Sequence, residues 1–199
     1  MSMKNRNEDG FTGLEAAIVL IAFVVVAAVF SYVVLGAGFF TTQKSQQVVH
    51  AGVTQAASNI VVKGEVYGIN TSATTPITNL SQIRFDIGLA AGGLPVDVDR
   101  MTIVMSTNSS VSTLVQDATS TSTSPSANHW DIQSVNNAAS GNDHLLQPDE
   151  VFTIYLSPPS DQTLSPRTVF NIELKPETGA SLGIMRTVQP GLSNVNLLY

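Results

Sequence analysis

Between Ala16 and Gln43 the chain carries no charged side chain, and the apolar residues from Leu14 to Phe40 go round every side of a helix. Such a helix has no wet face, so lipid or protein must enclose it. At about 1.5 Å per residue it is roughly 40 Å long, longer than the ~30 Å hydrocarbon layer that a simple span crosses. Part of it therefore needs surroundings other than lipid. A cleaved secretory signal has an apolar region of about 7 to 15 residues. This run is nearly twice too long, and the sequence beyond it continues as a helix, which points to a segment that is kept.

Thr12-Gly13-Leu14-Glu15 fits a capping box, in which Thr12 and Glu15 satisfy free amide groups at a helix start, and it predicts a helix beginning at Thr12. Residues 1–10 are short, polar and basic at Lys4 and Arg6, the pattern of a leader removed while the apolar segment stays. A cut after Gly10 makes Phe11 the amino terminus and Glu15 the fifth residue. There the Glu15 carboxylate either completes the cap and complements the helix dipole, worth about 0.3 to 1 kcal/mol, or neutralises a terminal ammonium, its own or a neighbour's. Lys4 and Arg6 precede the run and only Lys44 stands near its far end, which sets the N-terminus in the cytoplasm and everything after Gln43 outside.

Past Phe40 the pattern becomes amphipathic. Val49, Val53, Ala56, Ala57 and Ile60 recur at helical spacing, with Gln43, Gln46, Gln47, His50 and Gln55 facing elsewhere, which carries the helix to about Asn59. From Ile60 the period changes to two. Val62, Gly64, Val66 and Gly68 open a β region, and Ile83, Phe85, Ile87 and Leu89 alternate with Gln82, Arg84, Asp86 and Gly88. Further strands are expected at 101–105, 131–135, 152–156, 168–174, 182–188 and 195–198. Turn signals separate them: Gly92-Gly93, Asn136-Asn137, Ser140-Gly141-Asn142-Asp143, Pro158-Pro159 and Gln189-Pro190-Gly191. Between Ser106 and Ala127 the Ser, Thr and Asn content predicts an outward loop or an edge strand.

The expected fold class is α+β, a long N-terminal hydrophobic α-helix followed by an antiparallel immunoglobulin-like β-sandwich. The expected domains are a leader at 1–10, a helix at 11–59 that crosses a membrane or is enclosed by protein, and a β-sandwich at 60–199. With no cysteine in 199 residues, disulfides, thiolate metal sites and a cysteine nucleophile are excluded, so the β domain folds by its core alone. Nine basic residues against fifteen acidic ones give a net charge of −6, with the basic residues scattered, which argues against nucleic acid.

Little in the chain suggests an enzyme, a metal or a cofactor. His50, His129 and His144 have no spacing of a zinc pair or a triad, and no phosphate-binding or nucleophile-elbow motif occurs. The acidic residues Asp97 and Asp99, Asp149 and Glu150, and Asn142-Asp143 offer oxygen ligands for Ca²⁺ but read more simply as solvated turns. Three sequons begin at Asn70, Asn79 and Asn108, candidate glycosylation sites in an exported domain.

The segment from Gly13 to Gln46, GLEAAIVLIAFVVVAAVFSYVVLGAGFFTTQKSQ, closely resembles the N-terminal helix of archaellins, the archaeal flagellins, which are built like type IV pilins. The stretches Leu146 to Phe152 and Pro176 to Val188 carry the likeness over nearly the whole chain. The resemblance implies a homo-polymer of identical or closely related subunits, made as a membrane-inserted precursor and assembled into an extracellular cell-surface filament, the archaellum. It implies a prepilin-type peptidase cutting between Gly10 and Phe11, and membrane assembly and motor machinery that rotates the filament for swimming. Glu15 matches the glutamate of type IV pilins at mature position five, and Asp9 stands where a basic residue commonly precedes the glycine. The alternatives are a pilin-like adhesion filament subunit and a membrane-anchored monomeric binding module.

Overall fold

In a computed structural model the described residues are 6–72, 76–117, 124–138 and 144–199, with side chains from residue 13 onward. A single helix, α1 (Arg6–Ala57), opens the chain. Twelve strands follow: β1 (Ile60–Val62), β2 (Val66–Ile69), β3 (Gln82–Leu89), β4 (Val96–Asp97), β5 (Thr102–Thr107), β6 (Val111–Gln116), β7 (His129–Asn136), β8 (Leu145–Leu146), β9 (Val151–Leu156), β10 (Val169–Lys175), β11 (Leu182–Thr187) and β12 (Val195–Leu198). The chain divides into two compact units, 1–51 and 52–199.

The helix does not start at Thr12. It runs unbroken through Gly10, Phe11 and Thr12 from Arg6. Nothing in the sequence just before Thr12 stops a helix, since Arg and Glu are good helix formers and Gly10 alone costs only about 1 kcal/mol. The capping-box pattern at Thr12 therefore lies inside the helix rather than at its start. At the other end α1 stops at Ala57, two residues short of the expected Asn59, because Ile60 already pairs with Leu89.

In the β domain the strands form one hydrogen-bonded path, β11-β10-β5-β6-β7-β9-β3-β2-β12, with β1 joined to β3 and a separate β4–β8 pair. Alternation explains its core. Ile83, Phe85 and Ile87 of β3 stand opposite Leu156, Ile154 and Phe152 of β9, and all six are fully buried. Ile103 and Met105 of β5, Phe170 and Ile172 of β10 and Ile184 of β11 belong to the same buried cluster. Both halves of the path thus turn their apolar faces to one core, as a sandwich does.

The pairing is antiparallel except between β6 and β7, where Val115 meets His129 and Gln116 meets Trp130 in parallel. That pair makes the path continuous from one half to the other. At its ends the Thr187 amide donates to the Tyr199 carbonyl at 2.6 Å, and Gln189 Nε2 donates to the Leu197 carbonyl at 2.7 Å, so β11 and β12 partly cover each other's open edges. Gly64, at φ +90, interrupts β1 and β2, and the register against β3 steps by two residues across it.

The hydroxyl-rich stretch 106–127 differs from expectation. Its middle is β6, paired on both sides and therefore neither loop nor edge. The composition of β6 is accommodated because only its Leu114 is buried, while Val111, Thr113 and Val115 are exposed. Residues 118–123 of that stretch, and the turn at Ser140-Gly141-Asn142-Asp143, lie outside the described residues.

Candidate polymerisation surface

Every side chain of α1 from Gly13 to Gly52 is exposed. Among the described residues, twenty exposed large apolar side chains lie on this helix, from Leu14 to Val53, and seven lie in the β domain. Phe23, Phe30, Tyr32 and Phe40 each keep at least 70% of their surface uncovered. Those side chains point in all directions around the axis, so no single partner helix covers them. By length and composition the stretch from Gly13 to Ala57 can also cross a membrane.

The transition from apolar to polar is chemically marked. Thr41 and Thr42 donate their hydroxyls to the carbonyls of Ala37 and Gly38, at 2.8 and 2.9 Å. Their polar atoms are thereby satisfied within the helix, which extends the apolar surface by one turn. From Gln43 the polar side chains return, with Lys44 Nζ donating to Gln47 Oε1 at 3.2 Å.

A helix leaves its last carbonyls unsatisfied, and α1 has neither a basic residue in its last turn nor a glycine directly after it. The β domain supplies the missing donors. The Leu94 amide donates to the Ala57 carbonyl at 3.3 Å, and the Ala90 amide donates to the Asn59 carbonyl at 3.0 Å. Asn59 Nδ2 donates back to the Ala56 carbonyl at 3.0 Å, and Asn59 Oδ1 accepts from the Ala180 amide at 3.4 Å. Gln55 Nε2 reaches the carbonyl of Gly179 at 2.8 Å. At Gly179, φ is +115, and a Cβ there would sit 1.7 Å from the Ser58 carbonyl oxygen, so only glycine lets the β10–β11 hairpin approach this closely. Periodicity gave no hint of these contacts. The glycine of the turn Thr178-Gly179-Ala180 was the available signal.

Of the residues singled out by the sequence, Gly10, Phe11 and Thr12 lie within α1, and their side chains fall outside those described. Glu15 is exposed on the same helix. The sequons separate by burial. Asn79 and Asn108 are exposed, the latter at the β5–β6 hairpin, whereas Asn70 is buried, with its Oδ1 accepting from the Ser72 amide at 2.7 Å.

Asp97, Asp99 and Glu150 are engaged within the fold, while Asp149 is exposed. Asp97 pairs with Arg100 at 3.3 Å, and Arg100 also contacts Glu177 at 3.0 Å. The hydrogen bond and charge of Glu177, with the charge of Asp97, hold the Arg100 guanidinium above its ordinary value. Asp99 Oδ1 accepts from His144 Nδ1 at 2.8 Å and from Gln116 Nε2 at 2.7 Å. Glu150 is buried and accepts from the Gln147 amide at 2.9 Å. No group of three or more metal-ligating side chains forms among the described residues; Asn142-Asp143 lies outside them.

Comparison with known proteins gives a consistent result. The profile of the archaeal-type flagellin family matches residues 10–186. Probable flagellin 2 of Archaeoglobus fulgidus is 39% identical over 216 aligned positions, covering 97% of this chain and 96% of that protein. Probable flagellin 1 of the same organism is 54% identical over 100 residues, which cover 50% of this chain and 48% of that protein. Among solved structures, the archaeal flagellum of Methanospirillum hungatei superposes with a TM-score of 0.72 at 36% identity, covering 94% of this chain and 99% of that one.

Proposed function

The chain belongs to the archaeal-type flagellin family and is a filament subunit, and from that premise we propose that its helix, freed of residues 1–10, polymerises into the rotating filament of an archaellum. The observation that carries this reading is the apolar surface of α1, exposed on all sides from Leu14 to Phe40. Within a membrane lipid tails satisfy that surface, and in a filament the same helix of neighbouring copies does. Transfer between the two has little net hydrophobic drive, because lipid is as apolar as the side chains it releases. Insertion therefore calls for an energised membrane machine. Release into water exposes some twenty apolar side chains at about 1.5 to 3 kcal/mol each, a cost of tens of kcal/mol. The finished filament keeps its subunits.

Each subunit meets the next head to tail, so the contacts are heterologous and do not close, which yields a helical polymer rather than a ring. The partners are other copies of the chain or close relatives, a prepilin-type peptidase acting between Gly10 and Phe11, and a membrane assembly and motor complex. The place of work is the cell surface. Glu15, the fifth residue after that cut, pairs with a terminal ammonium once the helix is surrounded by protein, since an unpaired carboxylate there is costly. Burial of Asn70 favours Asn79 and Asn108 as glycan acceptors.

Deletion of the gene in a swimming host tests the reading. Loss of swimming with normal surface attachment supports it. Loss of attachment with normal swimming would make the chain an adhesion pilin instead, and a detergent-soluble monomer with no filament on the cell would make it an anchored binding module.

A further inference from the structure

We propose that Gln55, Asn59 and Gly179 are positioning residues that lock the last turn of the polymerising helix into the β domain, so that mechanical load on the filament passes through this joint. The inference rests on the filament reading above. A helix that simply ran into a strand would hang from Ser58 and Asn59, with two soft backbone dihedrals per residue and a frayed last turn. Here the last turn is tied down by segments far away in sequence.

Two segments of the β domain form the seat. The turn Ala90 to Gly93 and the residue after it supply amides to the carbonyls of Asn59 and Ala57. The β10–β11 hairpin tip supplies the Gly179 carbonyl to Gln55 and the Ala180 amide to Asn59, across 124 and 121 residues of chain. Ser58, between those ties, is 1% exposed. Consistent with this, the boundary between the compact units falls between Ala51 and Gly52, not at the end of the helix, so residues 52–57 count with the β domain. The glycine at position 179 fits the same purpose, since any side chain there would push the hairpin off the Ser58 carbonyl. Gln55 is exposed and contributes nothing to the apolar core, so its tie to Gly179 serves the joint rather than the fold of the domain.

Gln55→Glu tests this with the smallest change. Glu has the same length and nearly the same helix propensity but lacks the N–H that Gly179 needs, whereas Gln55→Lys restores a donor. The measurements are made on filaments sheared from cells carrying each variant: amide hydrogen exchange at 178–180 and bending persistence length by electron microscopy. The expected result is about fivefold faster exchange in Gln55→Glu, the loss of one net hydrogen bond, together with filaments that bend more readily, and recovery of both in Gln55→Lys. Faster exchange with unchanged stiffness would reduce the contact to local stabilisation and overturn the proposal, as would no change in either. A wild-type strain that yields no filaments would instead overturn the filament reading on which this rests.

Discussion

Phe85 has no exposed surface and lies between β9 and β2 at the centre of the core. Phe85→Ala is expected to cost about 3 to 5 kcal/mol through lost transfer energy and the cavity left behind, read as a fall in denaturation midpoint of the detergent-solubilised full chain. Glu15→Gln separates two roles. Glutamine keeps the capping box but loses the charge, so cleavage and export are expected to remain normal while incorporation into filaments falls; normal filament yield would leave only the cap. At this scale the sequence was readable where side chains alternate, as from Ile83 to Leu89. It misled at Thr12, where the capping-box pattern lies inside a helix that already runs from Arg6. The Asn70 sequon is a motif without exposure, since its side chain is buried and its Oδ1 accepts from the Ser72 amide.

Among the elements, the helix and the long strands were legible because each has a clear period over six or more residues. Strand β6 was legible only in part, since its Ser and Thr content reads as an outward loop or an edge strand and its pairing on both sides makes it neither. The two-residue strands β4 and β8 are too short to have a period at all. The contrast between helix and strand gives a sharp prediction. Val26→Asp in α1 adds an insertion penalty of about 2.5 to 3.5 kcal/mol at the centre of the apolar run and places a carboxylate inside the polymer, so sheared filament is expected to vanish from cell preparations. Val111→Asp on exposed β6 changes stability by no more than about 0.5 kcal/mol and is expected to leave filament yield at wild-type level.

For the whole molecule, the division of labour follows from where apolar surface is satisfied. The β domain buries most of its own, and α1 exposes nearly all of its own. On the proposed reading, cohesion between copies comes chiefly from apolar packing rather than charge. Raising the salt concentration is expected to leave filaments intact, because screening acts on exposed charges, while a detergent that covers α1 releases monomers; light scattering distinguishes the two. The most direct measurement is the amino-terminal sequence of the main protein in sheared filaments. A mature chain that starts at Phe11 and keeps the apolar helix is the predicted result. A start beyond Phe40 would contradict the account, since the surface proposed to hold the polymer together would then be missing from it.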